Sequence, residues 1–268
     1  MIRRPINKRW RFGLGLASIV VLLLGYTWLS DRMKEENPND TTIPSWSQLG
    51  DGVARSLELG KRTEERWLAV DAVATGYRLF AGMFLGVVGA VILGLLMGCF
   101  PQVEAIVSPP LTLLAKIPGT AALAVFFVMV GTDTEMYIAM VTFGVLPSMA
   151  LSVHLAVRDV PDELLNKAYT LGASHVEVIW NVILRHILPK LIDAVRLQIG
   201  PAMVYLIAAE MLVGDAGFGF RIRLQQKKLD MSVVYFYLAL LAVFGFGMDY
   251  ILKKLQRLLC PWFNPVRQ

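Results

Sequence analysis

Six ionisable residues interrupt the apolar stretches of this chain: Lys116, His154, Asp193, Arg196, Glu210 and Asp249. A charge at membrane depth is costly and usually faces a protein interior or a water-filled path, whereas near a span end a long side chain reaches the interface. Most of the six lie near such ends. Lys116, just before Pro118, and Glu210, within LIAAEMLVGDAGFG, are the candidates for lining a path taken by a polar solute. No reacting constellation accompanies them. There is no GxxxxGK[ST] loop, no HExxH helix and no GxSxG elbow, and the three histidines stand isolated. Gly214, Gly217 and Gly219 follow no strand, so they resemble a phosphate loop only weakly. No catalytic residue and no metal site is expected, and any ATP this protein uses must be bound by another chain.

A second stretch offers contact rather than catalysis. Between two long apolar segments lies a polar insert, Pro161 to Pro189, with the sequence PDELLNKAYTLGASHVEVIWNVILRHILP. Leu164, Leu165, Ala168 and Leu171, then Val178, Ile179, Val182 and Ile183, recur at helical spacing, and Gly172 breaks the pattern between the groups. The spacing predicts helix, turn, helix at a membrane surface, where another protein can push.

Composition says what must position these residues. With 56% hydrophobic and 18% charged residues and a mean hydropathy of +0.55, the chain holds more apolar surface than one soluble core of its length needs. The apolar residues gather into six blocks, approximately Phe12 to Leu29, Leu79 to Phe100, Leu111 to Val130, Met136 to Val157, Leu191 to Val213 and Val233 to Leu252. Each is near the roughly 20 residues that cross about 30 Å of hydrocarbon. The fold class is therefore all-α, a polytopic membrane protein of about six transmembrane helices. Pro118, Pro147 and Pro201 interrupt three of them, as broken helices do where freed backbone groups meet protein or a cavity.

Basic residues near the span ends set the orientation. The head MIRRPINKRWR carries five and no acid, and the tail after Leu252 holds Lys253, Lys254, Arg257 and Arg267. Both termini, and with them the 161–189 insert, are expected in the cytoplasm, although Arg221, Arg223, Lys227 and Lys228 then lie outside. The first block lacks a small-residue cleavage site, and Tyr26 and Trp28 are placed as interfacial anchors, which favours an uncleaved span over a signal peptide. Cys99 and Cys260 both fall on the reducing side, so neither a disulfide nor a cysteine-bound metal is expected.

Within the second block Gly82, Gly86, Ala90, Gly94 and Gly98 recur every four residues, a smooth helical stripe that lets another helix approach closely. The stripe leaves open whether that helix is internal or belongs to a second copy. After the first block, DRMKEENPNDTTIPS reads as an extended external connector, and 46–77, with Leu49, Val53 and Leu57 and then Trp67, Leu68 and Val70, as an amphipathic helix on the outer membrane surface. The expected organisation is a head, first span and external segment over 1–78, five spans over 79–252 with a cytoplasmic loop at 158–190, and a tail over 253–268.

At this point the insert resembles a known pattern. NKAYTLGAS, continuing through VIWNVILRHILP, is similar to the EAA loop of type I ABC transporter permeases, with Ala168, Gly172, Leu188 and Pro189 matching at the right spacing. PPLTLLAKIPGTAAL, RDVPDELL, IAAEMLVGDAGFGFRI and Arg78 four residues before Gly82 extend the resemblance over roughly residues 70 to 250, toward the nitrate, sulfonate, taurine and bicarbonate branch. Asn166 and Lys167 stand where the family usually has Glu and Ala, and Arg185 replaces a common proline, which changes the electrostatics of a docking surface. The resemblance implies a MetI-like fold and a bacterial inner-membrane permease that moves a small solute, an anion such as nitrate, a sulfonate or taurine, or bicarbonate. It also implies two permease copies, two cytoplasmic ABC ATPases that carry ATP and Mg, and an extracytoplasmic binding protein. Asn166, Lys167, Ala168, Gly172, Ala173 and Pro189 become the coupling residues, with the contact over 165–180. No cofactor on this chain and no nucleic-acid partner are expected, membrane lipids aside. A secondary transporter driven by an ion gradient is the alternative; it would show inverted repeats and midplane carboxylates, and the chain shows no convincing repeat and few central charges.

Overall fold

A computed structural model describes residues 7–36, 41–57 and 66–263, and every regular element among them is helical. Arg3, Arg4 and Arg267, parts of the basic head and tail, lie outside the described residues, as do 37–40 of the connector and 58–65 of the external segment. The helices are α1 (Lys8–Glu36), α2 (Trp46–Leu57), α3 (Trp67–Cys99), α4 (Pro101–Leu114), α5 (Gly119–Val130), α6 (Thr134–Arg158), α7 (Asp162–Thr170), α8 (His175–Glu177), α9 (Leu184–Val213), α10 (Phe218–Lys227) and α11 (Met231–Leu259), with a π-helical turn, Val178–Ile183, between α8 and α9. Five of the described helical stretches are long and apolar enough to cross a membrane, or six if the bent α4–α5 pair counts as one span.

The chain divides into two compact units, one of Met1–Leu68, Ile222–Leu240 and Trp262–Gln268, the other of Ala69–Arg221 and Leu241–Pro261. Residues 67–78 are the first turns of α3 itself, because Trp67, Leu68 and Val70 continue the helix of the second apolar block instead of closing a separate helix. Of the stretch expected as an amphipathic helix, 46–57 forms the separate helix α2 among the described residues. Asp31–Glu36, expected in the extended connector, belongs to α1, where Arg32, Met33, Lys34 and Glu35 are good helix formers.

In the first unit, the Tyr26 hydroxyl donates to the Pro44 carbonyl at 2.5 Å, and its ring meets Trp46 and Tyr235 edge-on. Arg55 of α2 donates to Asp230 at 2.7 Å and to Ser232 at 2.8 Å, and Gly52 lies against the Ser232 backbone where no side chain fits. The second unit is built around α6. Tyr137, Met140, Val141, Val145, Met149, Ala150 and Val153 are all buried, and α9 packs along it with Ile187, Ile199, Ala202 and Leu206.

One break and one continuation shape this unit. The block expected as one span from Leu111 to Val130 is two helices meeting at 98°, because Pro118 lacks an amide donor and its backbone is extended. The second helix of the insert does not end at Pro189. It runs through the π-helical turn and Pro189 into the fifth span without interruption, since proline removes one ladder bond and bends a helix held by its neighbours. Gln256 donates to the Pro189 carbonyl at 2.9 Å.

Candidate functional site

The insert folds as a hinge. Asp162 and Glu163 offset the positive end of α7, and Pro161 precedes it in extended backbone. The chain then reverses at Gly172, whose φ of 86° lies in the left-handed region that side chains resist. A Cβ there would meet nothing within 4 Å, so the requirement for glycine is conformational, not spatial. Ser174 restarts the helix through a capping box: its backbone N–H donates to Glu177 at 2.8 Å, and its hydroxyl accepts from the Glu177 amide at 3.4 Å.

Val178 and Ile183 are buried, while Leu165, Ala168, Ala173, Ile179 and Val182 pack partly against the core. Leu164 and Leu171, read with them by periodicity, are exposed, Leu171 at 87%. Tyr169, Val176 and Trp180 also face outward, as do Asn166 and Lys167. A cleft of about 590 Å³, lined among others by Gly98, Cys99, Val157, Tyr169, His175 and Ile179, lies between the hinge and the ends of α3 and α6. At the hinge base, Lys190 donates to Asp159 at 2.7 Å, and that bond holds the Asp159 carboxyl below the ordinary aspartate range. Burial pushes the Cys260 thiol up.

The glycine stripe faces α6. A Cβ on Gly82, Gly94 or Gly98 would collide with Val141, Val153 or Val157 at 2.5 to 2.6 Å, Gly86 meets Val145 at 3.1 Å, and Ala90 is fully buried. Thr142 of α6 donates to the Gly82 carbonyl at 3.1 Å. These contacts are internal to one chain.

The same face of α3 carries a polar cluster at its N-terminal end. Asp71, Thr75 and Arg78 stand at i, i+4 and i+7 and continue the register of Gly82. Thr75 donates to Glu210 at 3.0 Å, Arg78 donates to it at 3.1 Å, and the Gly219 amide closes the second carboxylate oxygen at 3.0 Å. Asp71 accepts from Arg221 at 2.8 Å and from the Gly217 amide at 3.0 Å. Phe218 N–H donates to the Thr75 hydroxyl at 2.8 Å. Arg78 also donates to the Ala216 carbonyl at 2.8 Å and lies 4.0 Å over the Tyr137 ring. Asp71 and Glu210 have no exposed surface. The two buried carboxylates face two guanidiniums, with the exposed Asp215 3.5 Å from Arg78 at the rim, which is how buried charge becomes tolerable.

Glu210 thus lines no open path in this structure; its carboxylate anchors the glycine loop 214–219 to α3. Gly217 has a φ of 116°, and a Cβ on it would overlap the Glu210 carboxylate. Lys116 is exposed at the α4–α5 break and forms no ion pair among the described residues, and it is not among the groups that meet Glu210. Arg196 sits between Asp193 and Asp249, at 2.7 Å from each, and His154 and Arg158 share Glu104 at 3.3 and 3.2 Å. Asp71, Thr75 and Arg221 were missed from sequence as site residues. Their signal was the helical register of 71, 75 and 78 running into the glycine stripe.

The family described as Binding-protein-dependent transport system inner membrane component matches residues 82–259. Similar proteins include the taurine transport system permease protein TauC of Escherichia coli (strain K12), 29% identical over 190 residues, which cover 71% of this chain and 69% of that one. A probable ABC transporter permease protein of Brucella melitensis biotype 1 is 27% identical over 73% of this chain and 79% of its own. A putative aliphatic sulfonates transport permease protein, SsuC of Bacillus subtilis (strain 168), is 27% identical over 70% of this chain and 68% of its own. Among solved structures, an inward-facing form of the MetNI methionine ABC transporter superposes with a TM-score of 0.63 at 21% identity, over 75% of this chain and 99% of that one, which establishes the fold.

Proposed function

The chain belongs to the binding-protein-dependent transport system inner membrane components, and from that membership we propose that it is the path-forming subunit of an ATP-driven importer for a small anionic solute, a sulfonate such as taurine first among them. Two copies enclose the path, an extracytoplasmic binding protein delivers the solute, and a cytoplasmic ATPase receives the α7 hinge of each copy. Both termini face the cytoplasm. The relatives named for taurine and aliphatic sulfonates support the substrate class.

One observation carries the coupling reading. The exposed hinge tip is joined to α9 by unbroken helix, and α9 packs along α6 in the core. A push on α7 therefore moves a membrane-spanning helix. In this reading Asn166, Lys167, Ala168 and Ala173 form the contact, Gly172 sets its turn and Pro189 marks where the force enters the span. Glu210 acts as an anchor, and Lys116 remains the candidate on the solute path.

Gly172→Val tests this. A β-branched residue at this φ costs about 1–3 kcal/mol of local strain, enough to reshape the turn while the buried core stays intact. In proteoliposomes containing the full transporter, the variant is expected to be expressed and inserted normally and to lose taurine-stimulated ATP hydrolysis and taurine uptake. Unchanged stimulation would sink the coupling assignment. Stimulation by another anion with none by taurine would redirect the substrate alone.

A further inference from the structure

Among the described residues, the only one other than glycine with a left-handed backbone is Leu229, in the turn between α10 and α11, at a φ of 56°. L side chains rarely adopt that conformation. Burial does not explain it, since Leu229 is 71% exposed. The turn is held instead by the rest of its own unit. Thr41 donates to the Leu229 carbonyl at 3.0 Å, Arg55 of α2 reaches both carboxylate oxygens of Asp230 at 2.7 and 3.3 Å, and Gly52 leaves no gap against Ser232. Backbone strain that neighbours keep in place is a pointer to function.

The turn and α2 line a pocket of about 310 Å³, at the small end of the range for small-molecule sites. Several polar groups on its wall are already engaged: Arg55 with Asp230 and Ser232, and Thr41 with Leu229. Three are not. Asp51 and Lys228 are exposed, make no hydrogen bond or ion pair through their side chains among the described residues, and do not meet each other although they line the same pocket. Gln48 accepts through Oε1 from the Ser45 amide at 2.9 Å and keeps its Nε2 free to donate. Gln48 and Asp51 stand at i and i+3, on one face of α2. The groups still open to a ligand are thus one carboxylate, one ammonium and one amide. A solute with a single charge satisfies one of the two ions; a solute with both satisfies both.

We propose that this pocket is a binding site for a small zwitterion, whose ammonium pairs with Asp51 and whose sulfonate, carboxylate or phosphate group pairs with Lys228 and accepts from Gln48. Each end gains a charge-assisted hydrogen bond, and a molecule lacking either charge leaves one wall group without its partner, which is the source of selectivity. The α2 wall precedes the family-matched residues 82–259, so membership of the family does not account for the site. Two sources carry this chemistry: a free aminosulfonate or amino acid, and the phosphoethanolamine headgroup of a membrane lipid.

The full-length chain, reconstituted in nanodiscs of phosphatidylglycerol, which offers no ammonium, is titrated calorimetrically with taurine. Isethionate, with a hydroxyl in place of the ammonium, and ethanolamine, without the sulfonate, are the single-charge controls. Taurine is expected to bind at least about tenfold more tightly than either, and Asp51→Asn and Lys228→Gln each to weaken it by at least about tenfold, the scale of one charge-assisted contact. Both side chains are exposed and unbonded, so both variants are expected to melt with wild type. Asp51→Asn should also erase the preference for taurine over isethionate, a change that a merely structural role would not produce. Repeating the titration with phosphatidylethanolamine in the discs separates the sources: unchanged taurine affinity assigns the pocket to a free solute, and weakened affinity to the headgroup. Taurine binding that is equal in wild type and both variants overturns the site, as does equal binding of the single-charge controls or no binding at millimolar taurine. None of these outcomes touches the importer reading, which is tested separately by uptake and by Gly172→Val.

Discussion

At Glu210 a carboxylate with no exposed surface is kept in an apolar interior by three donors drawn from two segments of chain: Thr75 and Arg78 of α3, and the Gly219 amide of the glycine loop. Removing one member of such a buried pair costs about 3–5 kcal/mol, because the remaining charge is stranded, while replacing both by apolar residues of similar volume is often neutral. Arg78→Ala is therefore expected to lower the melting temperature of the detergent-solubilised protein sharply, and Arg78→Met combined with Glu210→Leu to recover most of the loss. If Arg78→Ala melts with wild type, the cluster is not holding the glycine loop. Glu210 was legible in the sequence as an acid in an apolar run, but its role was not. Its partners Thr75 and Arg78 lie more than a hundred residues away, and pairing across that distance is a property of packed helices that spacing along one helix does not report. Gly172 was legible for the opposite reason: its turn is local, and the physics that demands glycine there acts within a few residues.

Among the elements, five of the six apolar blocks match single long helices in approximate place because length and hydropathy alone define a span, while the Leu111–Val130 block falls within the bent α4–α5 pair. Their boundaries differ, because capping and neighbouring packing decide where a helix stops. Trp67 and the polar residues after it belong to α3, and the insert's second helix continues through Pro189. Pro118 did announce the α4–α5 break, but whether a proline kinks, breaks or is absorbed depends on the surrounding helices, as Pro147 and Pro201 within α6 and α9 illustrate. The glycine stripe announced close packing without naming its partner. Now that α6 is the partner, Gly94→Val becomes informative: its side chain would enter space already held by Val153 and the Ala150 carbonyl. Overpacking of this kind typically costs about 1–3 kcal/mol. The expected result is a lower melting temperature, relieved by Val153→Ala on the facing helix. Failure of that second substitution to rescue would mean that the stripe is not set by α6.

For the whole molecule, the basic residues of 221–228 were the weak point of the expected orientation. Arg221 is bound to the buried Asp71, so its charge is partly neutralised within the fold. The orientation makes opposite demands on two exposed positions, Leu171 on the hinge and Leu229 at 71% exposure between α10 and α11. With the native cysteines replaced by serine, a membrane-impermeant maleimide added to intact spheroplasts is expected to label Leu229→Cys and spare Leu171→Cys until the membrane is opened. The reverse pattern would invert the topology and remove the cytoplasmic docking of the hinge. From Asp71 to Gly98, α3 rises through about 40 Å, with the ion cluster at one end, the hinge cleft at the other and α6 seated against its glycines between them. So close a fit ties any tilt of α3 to α6: a rotation of about 5° about one end of α3 displaces the other by roughly 3–4 Å over that length, comparable to a water molecule's diameter.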